Sequence, residues 1–249
     1  ASSETFMNEM INAIINEDID LIRKLLLREY ADVFATDGVL RTMNTEPMKI
    51  ILKPDAKPFK LYTCRAIPLA FRESVEAELQ DMVTKGIIEP VGDEAVEWTH
   101  PMVVRPKRDG GVRITTDFTK LNKQVERVVH NARTPADVAA DRVPNAKYFT
   151  TVDCKSGYWQ LPLHEDSRNL TAFITPQGIY RYLRGAMGFI STGDFFNMRG
   201  DKAIQGLKQV SKIVDDMLIE DITLAEHVQR VRSVLDRCRE YNVTLNPKK

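Results

Sequence analysis

The chain has 249 residues, 43% of them hydrophobic, and its 35 lysines and arginines balance 35 aspartates and glutamates. This length and composition predict one large domain or two subdomains around a sizeable core. A net charge of zero disfavours nucleic-acid binding through bulk positive charge, so any such binding must use local patches. No apolar run approaches the roughly 20 residues that span a bilayer, so we expect a soluble protein with no membrane partner.

The charged residues and the cysteines are unevenly placed. Residues 1–40 contain eight acidic and three basic residues, whereas residues 105–123 contain six basic and two acidic residues. The second stretch is therefore the best candidate for a surface that faces phosphates. Three widely spaced cysteines without C-x-x-C spacing predict neither a disulfide framework nor a zinc site. They favour an intracellular protein, either cytoplasmic or nuclear.

The periodicity of apolar residues and the positions of glycine and proline predict a mixture of helices and hairpins. In chain order the predicted elements are a helix within 16–34, an extended connector over 42–68 with a short strand at 48–52, a helix from 71 to 86, a hairpin of strands 102–105 and 112–116, a helix after the N-cap Thr134, a hairpin of strands 173–175 and 179–183, a helix over 194–204, a strand pair within 209–218, and a helix after the N-cap Thr223. Hairpins dominate and no regular β-α-β alternation occurs, so the predicted fold class is α+β with an antiparallel sheet.

Two adjacent aspartates interrupt an apolar segment near the end of the chain. Residues 209–218 read QVSKIVDDML, in which apolar residues lead into Asp215 and Asp216 and then resume. This pattern predicts a strand, a turn that carries carboxylates, and a second strand. Asp153 follows another apolar strand, and three carboxylates at strand ends suit Mg²⁺, which prefers oxygen ligands. For the pair alone, an ordinary Asp-rich turn is the alternative interpretation.

Paired metal sites of this kind suggest phosphoryl chemistry. Two Mg²⁺ ions about 4 Å apart stabilise both the attacking and the leaving oxygen of an in-line displacement at phosphorus, and Mn²⁺ could replace them. Asp153 and Asp215 would bridge both ions, with Asp216 nearby. Lys107 and Arg113 lie on the basic hairpin, whose glycines are expected to adopt positive φ, and would balance the charge of a triphosphate. For each of these two residues, a solvated surface side chain is the alternative.

Tyr158 follows Asp153 by five residues, with Gly157 before it. If the chain turns at Gly157, the ring would lie beneath the carboxylates and leave no room for a sugar 2′-hydroxyl. Core packing beside Trp159 explains the same spacing equally well.

Eight short segments, by their order and spacing together, carry a resemblance to a known family. They are residues 30–34, 85–90, 106–111, 117–123, 152–161, 173–178, 214–216 and 245–248. The chain resembles the reverse transcriptases of gypsy-type long-terminal-repeat retrotransposons and, more distantly, those of retroviruses. One departure is Ile213, which occupies the aromatic position that the family usually has before the Asp pair. The resemblance implies a right-hand polymerase with fingers and palm, an antiparallel palm sheet backed by helices, and no thumb.

The resemblance also implies a set of site residues and a domain layout. By motif match, the site residues are the metal-binding triad Asp153, Asp215 and Asp216, the triphosphate-binding Lys107 and Arg113, the ribonucleotide gate Tyr158, Met187 and Gly188 near the incoming nucleotide and template, and Lys248 or Lys249 as proton donor to pyrophosphate. The implied layout is an N-terminal helical segment or linker at 1–45, fingers at 46–125 and 161–190, and palm at 126–160 and, truncated, at 191–249.

The implied function is RNA-directed DNA polymerisation, in which a primer 3′-hydroxyl attacks a bound dNTP. The expected partners are an RNA or DNA template with its primer, dNTPs, and either a second copy of the chain or the thumb and RNase H region of a longer polyprotein. One alternative is a non-catalytic, retroelement-derived protein that binds nucleic acid or acts as a scaffold. Another is a different metal-dependent phosphotransferase with paired aspartates.

Overall fold

The computed structural model describes residues 3–248, which form two compact units. The first unit contains residues 3–44, 131–157 and 197–248, and the second contains residues 45–130 and 158–196. Within the described residues the α-helices are α1 Ser3–Ile15, α2 Ile19–Glu29, α3 Arg72–Thr84, α4 Thr119–Asn122, α5 Pro135–Ala140, α6 Thr192–Ala203 and α7 Leu224–Glu240. The strands are β1 Ile88–Pro90, β2 His100–Pro106, β3 Val112–Thr116, β4 Tyr148–Asp153, β5 Phe173–Thr175, β6 Gly178–Tyr182, β7 Val210–Ile213 and β8 Asp216–Asp221. Short 3₁₀ helices cover Leu69–Phe71, Gly157–Gln160 and Glu165–Thr171.

The first unit is built on a three-stranded antiparallel sheet in the order β4-β8-β7. Helix α7 packs on β8 and β4. It begins at the predicted N-cap, since the Thr223 side chain accepts a hydrogen bond from the Glu226 N–H. Its apolar stripe is buried, as the 3.6-residue periodicity predicts, and includes Leu224, Val228, Val231 and Leu235.

A buried polar network joins α7 to the sheet. Asp221, at the end of β8, is fully buried and lies 2.8 Å from both His227 Nδ1 and Arg230 Nε. The second nitrogen of the histidine ring, Nε2, lies 2.6 Å from the Thr150 hydroxyl on β4. Because an ionised carboxylate can only accept hydrogen bonds, His227 donates from Nδ1 to Asp221. One helix and two strands therefore share a single hydrogen-bonded network.

The segment 244–246 connects distant parts of the first unit through its backbone. The Leu245 N–H donates to the Val33 carbonyl at 2.9 Å, and the Asn246 N–H donates to the Asp153 carbonyl at 2.9 Å. In return, the Lys155 N–H donates to the Thr244 carbonyl at 3.0 Å. This segment therefore lies along the end of β4 that carries Asp153.

The N-terminal region contains one helix that was predicted and one that was not. The helix expected within 16–34 is present as α2, which ends at Glu29, and α1 precedes that range. The break between the two helices occurs because Glu17 adopts a positive φ of 50° and the Asp18 side chain caps α2 by accepting from the Leu21 N–H at 3.1 Å. Helix α1 carries apolar residues on more than one side, including Ile15 at 71% exposure, so its periodicity does not stand out in the sequence.

The second unit contains a five-stranded sheet in the order β1-β6-β5-β2-β3. Its β2–β3 and β5–β6 hairpins were predicted, and both are present. The antiparallel sheet predicted to carry the aspartates is the sheet of the first unit, whose strands are all antiparallel. In the second unit, β2 and β5 pair in parallel through His100 with Phe173 and Pro101 with Ile174, a pairing that the sequence did not predict. A parallel pair requires a long crossover, and strand periodicity does not identify a partner so distant along the chain. The α+β class itself is confirmed.

Helix α3 and the strands enclose the core of the second unit. The helix buries Val75, Leu79 and Met82 in a cluster that also contains Trp98 and Phe173. As predicted, α3 ends before Gly86, whose φ is +69°. The strand predicted at 48–52 is wrong. Met48 and Leu52 make isolated bridges to two different segments, at Leu163 and Val125 respectively, so no continuous ladder forms.

None of the helices formed within residues 3–248 combines the length and apolarity that crossing a membrane requires.

Candidate functional site

The three predicted aspartates lie at one end of the sheet in the first unit. Asp153 ends β4, Asp216 begins β8, and the register pairs them directly across the two strands. Paired residues of an antiparallel ladder have Cα atoms about 4.5–5.5 Å apart and side chains on the same face of the sheet. Asp215 lies in the turn between β7 and β8, where its carbonyl accepts from the Cys154 N–H at 3.0 Å. The backbone therefore places the three residues at the same end of this sheet.

The Cys154 thiol shows how close these charges are to one another. Burial raises the pKa of this thiol to about 12, and the negative charges of Asp215, Asp153 and Asp216 contribute to the increase. The positive charge of Lys212 acts in the opposite direction and lowers the same pKa. A single buried atom thus experiences three carboxylates and one ammonium group. The end of the sheet is a concentrated region of negative charge with one internal cation.

The donor atoms at this end of the sheet suit a hard divalent cation. Three carboxylates offer oxygen ligands of the kind that Mg²⁺ prefers. Asp216 is exposed, whereas Asp153 and Asp215 are half-buried, and one carboxylate oxygen of each of these two residues is closed off from solvent. Among residues 3–248, however, no group of three or more His, Cys, Asp or Glu side chains is arranged to hold a metal ion. The residues therefore fit Mg²⁺ in donor chemistry, and the described side chains do not form a finished coordination shell.

The turn that carries Asp215 has an unusual backbone. Val214 and Asp215 are the two turn residues between the paired Ile213 and Asp216. Val214 has a φ of 54°, a conformation that two-residue hairpins require and that glycine or asparagine normally supplies. For a β-branched residue this conformation costs about 1–3 kcal/mol, so surrounding contacts must maintain it.

Lys212 provides one of these contacts and was not predicted as a functional residue. Its side chain is 5% exposed, and its Nζ donates to the Val214 carbonyl at 3.1 Å. The signal in the sequence was a lone lysine inside the apolar segment that precedes the Asp pair. That signal does not identify the partner, because the partner is a backbone carbonyl of a turn.

In the second unit, the predicted phosphate-binding residues lie on the β2–β3 hairpin. Lys107 is exposed in the turn, where its N–H donates to the Gly111 carbonyl at 2.7 Å. Arg113 is exposed on β3 and pairs directly with Arg105. Like charges opposite each other in a ladder are unfavourable unless an anion balances them. The predicted positive φ occurs at Gly110, at +90°, and the prediction is wrong for Gly111.

Met187 and Gly188 lie in a loop of the second unit that Asn122 holds on both sides. The Asn122 side chain donates to the Gly188 carbonyl at 2.9 Å and accepts from the Ile190 N–H at 2.9 Å. Gly188 has a φ of +89°, and a Cβ there would lie 3.1 Å from the Thr116 carbonyl oxygen. Met187 is 38% exposed. Asn122 is therefore a supporting residue that the sequence analysis identified only as part of a family segment.

Tyr158 is half-buried in the second unit and packs edge-on against Phe196, with ring centroids 5.7 Å apart. Its hydroxyl lies close to Gly193, where an added Cβ would be 3.1 Å away. Its carbonyl oxygen lies even closer to Gly185, at 2.7 Å from an added Cβ. Two glycines thus leave room for this tyrosine and its backbone.

The structure describes one of the two candidate proton donors. Lys248 is exposed and lies two residues after Asn246, whose N–H donates to the Asp153 carbonyl. Lys249 lies outside the described residues. The choice between the two lysines stays a prediction.

Comparisons with known proteins agree on one family. Residues 105–249 match the family model described as "Reverse transcriptase (RNA-dependent DNA polymerase)". The retrovirus-related Pol polyprotein from transposon 412 of Drosophila melanogaster is 27% identical over 230 residues, which cover 89% of this chain and 18% of that protein. The enzymatic polyprotein of Cestrum yellow leaf curling virus is 32% identical over 222 residues, which cover 84% of this chain and 33% of that protein.

A solved structure shows the same fold. The foamy viral protease-reverse transcriptase in complex with RNA/DNA hybrid matches 100% of this chain and 33% of that chain, with a TM-score of 0.79 and 21% sequence identity. The chain therefore has the fold of a reverse transcriptase and spans between 18% and 33% of the length of these three relatives.

Proposed function

Because the chain belongs to the reverse transcriptase (RNA-dependent DNA polymerase) family, we propose that it performs RNA-directed DNA synthesis as the fingers and palm of a gypsy-type retrotransposon polymerase. In this proposal the first unit supplies the palm and the N-terminal helices, and the second unit supplies the fingers. The observation that supports this proposal most strongly is the direct pairing of Asp153 with Asp216, with Asp215 in the adjoining turn.

The palm carboxylates hold the metal ions in this proposal. Asp153, Asp215 and Asp216 would bind two Mg²⁺ ions, or Mn²⁺ in their place, through carboxylate oxygens. When bound, the ions would supply charge neutralisation and activation of the primer 3′-hydroxyl. The protein's own part is to fix the carboxylates on rigid strand ends. The register between β4 and β8 supports this role, because it sets the spacing of two carboxylates without relying on a flexible loop.

The second unit binds the nucleotide in this proposal. Lys107 and Arg113 contact the triphosphate of the dNTP, and the exposed pair of Arg113 with Arg105 supports an anion at this hairpin. Met187 and Gly188 lie near the incoming nucleotide and the template. The two hydrogen bonds from Asn122 support a fixed loop there, since a loop held on both sides presents its backbone in one conformation.

Tyr158 excludes ribonucleotides by occupying the space of the 2′-hydroxyl in this proposal. Its edge-on contact with Phe196 supports a ring held in one orientation, which steric exclusion requires. Lys248 or Lys249 donates a proton to the departing pyrophosphate.

The proposed partners are an RNA or DNA template with its primer, and dNTPs. The foamy viral relative, which was solved with an RNA/DNA hybrid, supports the nucleic-acid partner. Two relatives are polyproteins, which supports an origin in a longer polyprotein. In this proposal, a thumb and an RNase H region belong to that polyprotein. All three cysteines are free thiols, which supports an intracellular setting, in element particles or in the nucleus.

Primer extension tests the proposal. The 249-residue chain is incubated with an RNA template, an annealed DNA primer, dNTPs, and either Mg²⁺ or Mn²⁺. We expect extension by the wild type and a decrease of about 100-fold or more for Asp215→Asn, since the metal ions stabilise the charge of the transition state. Asp93→Asn, at an exposed position of the second unit, is the matched control and should extend normally. Extension that survives in Asp215→Asn would show that Asp215 has no catalytic role.

The same experiment separates the proposal from the scaffold alternative. Measuring binding of the primer–template by fluorescence anisotropy alongside extension gives the second readout. Tight binding without any nucleotide incorporation, with either metal, would favour a retroelement-derived binding protein and overturn the proposed enzyme.

A further inference from the structure

A buried lysine contacts the turn between β7 and β8, next to the Asp pair. Lys212, on β7, has a side chain that is 5% exposed. Its ammonium group donates to the Val214 carbonyl at 3.1 Å and to Asn197 Oδ1 at 3.4 Å, and it forms an ion pair with Asp201 Oδ1 at 3.0 Å. All three partners lie in the first unit, so the buried charge has both hydrogen-bond acceptors and a counter-ion.

The ion pair alone does not explain why the ammonium group is buried. Asp201 is 41% exposed, so a lysine at the surface could reach it without the loss of hydration that a buried charge suffers. Its two other partners are Asn197 Oδ1, whose residue is buried, and the Val214 carbonyl in the turn between β7 and β8. A methionine of similar length would fill the same space without that loss, so the charge itself has a use at this position.

A glycine in helix α6 leaves space for the Lys212 side chain. Gly200 lies within α6, where glycine is a poor helix former. A Cβ at this position would lie 3.2 Å from Lys212 Cε and 3.4 Å from Nζ. The missing side chain thus creates the space through which the lysine stem passes toward the turn. An unfavourable residue in the helix and a buried charge in the strand are explained by the same contact.

The contact fixes the backbone that orients the carboxylates. Lys212 holds the Val214 carbonyl, and the Cys154 N–H holds the Asp215 carbonyl. Two successive peptide groups of the turn are therefore anchored from different elements. Val214 is also the residue with a φ of 54°, a conformation that needs such support.

We propose that Lys212 is a positioning residue, whose ammonium group clamps the Val214 carbonyl and so fixes the turn that presents Asp215 and Asp216 for metal binding. The expected effect of this contact on catalysis rests on the proposed function. The clamp itself is a property of the protein without metal, nucleotide or primer. Lys212 acts through the turn and touches no substrate.

Amide hydrogen exchange, measured by mass spectrometry on the metal-free chain, tests the clamp directly. In Lys212→Met, exchange within residues 213–218 is expected to accelerate by about tenfold or more, because a charge-assisted hydrogen bond to the turn is lost. Exchange within α7 should stay within twofold of wild type and serves as the internal reference. Equal exchange of the turn in Lys212→Met and wild type would overturn the proposal.

Asp201→Asn is the matched control because it removes the ion pair and retains the lysine. We expect its turn to exchange within about twofold of wild type, since the bond to Val214 remains. If Asp201→Asn accelerates exchange as strongly as Lys212→Met, the lysine serves the packing of α6 and the proposal fails.

A second variant covers the case in which Lys212→Met does not fold. Gly200→Ala keeps the charge, suits the helix, and pushes the lysine stem away from its present path. Faster exchange in the turn is expected, with normal exchange in α7. Unchanged exchange in the turn of a folded Gly200→Ala protein would count against the clamp.

Single-nucleotide incorporation then links the clamp to catalysis. For Lys212→Met we expect kcat to decrease by about tenfold while KM for the dNTP stays within twofold, because the turn acts on the reacting groups and does not bind the nucleotide. Asp201→Asn should retain wild-type kcat. If the wild type itself shows no incorporation, the proposed function fails, and the exchange data still decide whether the clamp exists.

Discussion

Replacing Asp221 by asparagine should weaken the attachment of α7 to the sheet of the first unit. The carboxylate is fully buried and lies 2.8 Å from His227 Nδ1, 2.8 Å from Arg230 Nε and 3.2 Å from Gln209 Nε2. An asparagine of the same size has one acceptor oxygen, and its amide group would face a donor. Removing one partner of a buried charged pair costs about 3–5 kcal/mol.

The lower end of that range applies here. Arg230 is 23% exposed and keeps its bonds to the Lys208 carbonyl and to Gln209 Oε1, at 2.9 Å and 3.0 Å. We therefore expect a loss of about 3 kcal/mol, a large part of the roughly 5–15 kcal/mol that stabilises a typical domain. For a chain of this length, such a loss lowers Tm by about 6–12 °C.

Urea denaturation followed by far-UV circular dichroism measures this loss. Tryptophan fluorescence reports on the second unit separately, because Trp98 and Trp159 both lie there. Asp216→Asn is the matched control: the same substitution, on the same strand, at an exposed position. It should change the free energy of unfolding by less than about 0.5 kcal/mol. A loss of unfolding free energy below about 0.5 kcal/mol for Asp221→Asn, or an equal loss in the control, would refute the conclusion that Asp221 holds α7 to the sheet.

Two further outcomes concern the second unit. Gly185→Ala should destabilise it by about 1–3 kcal/mol, because the added Cβ would lie 2.7 Å from the Tyr158 carbonyl oxygen. Urea denaturation followed by fluorescence measures this loss. Gly111→Ala is the control and should show no comparable loss, because its added Cβ would lie 3.4 Å from the nearest atom, Asp109 Oδ1. Lowering the pH from 7 to 5.5 should also destabilise this unit through His100. Burial lowers the pKa of His100 in the folded state, so below about pH 6.5 the unfolded chain binds a proton that the folded state does not, and stability is lost as the pH falls. His100→Gln should reduce this dependence on pH, and an unchanged slope would contradict the reasoning.

Local signals in the sequence predicted local structure well. Thr134 caps α5, as the sequence predicted, and the structure adds a reciprocal hydrogen bond from the Thr134 N–H to the Asp137 side chain, which completes a capping box. The predicted strand–turn–strand unit around the Asp pair is present, with Asp215 in the turn and Asp216 as the first residue of β8. These features depend on hydrogen bonds and φ preferences within a few residues, which the order of residue types determines directly.

Features that depend on distant partners were not predictable in the same way. The parallel pairing of β2 with β5 joins residues about 70 positions apart, and no periodicity specifies such a partner. Lys212 is a lone lysine in the sequence, and its role becomes visible only with Gly200 and the Val214 carbonyl beside it. The role of Asn122 in holding the loop of Met187 and Gly188 is likewise evident only from its hydrogen bonds to Gly188 and Ile190.

The backbone bonds of segment 244–246 have a consequence for the order of events during synthesis. The Val33 and Asp153 carbonyls find their partners in Leu245 and Asn246, so these bonds cannot form until residue 246 has left the ribosome. Residues 45–130 and 158–196 contain a complete sheet of their own and are translated earlier. Contacts of long sequence separation also form slowly. The aspartate end of β4 therefore completes these backbone contacts after the strands of the second unit have been translated.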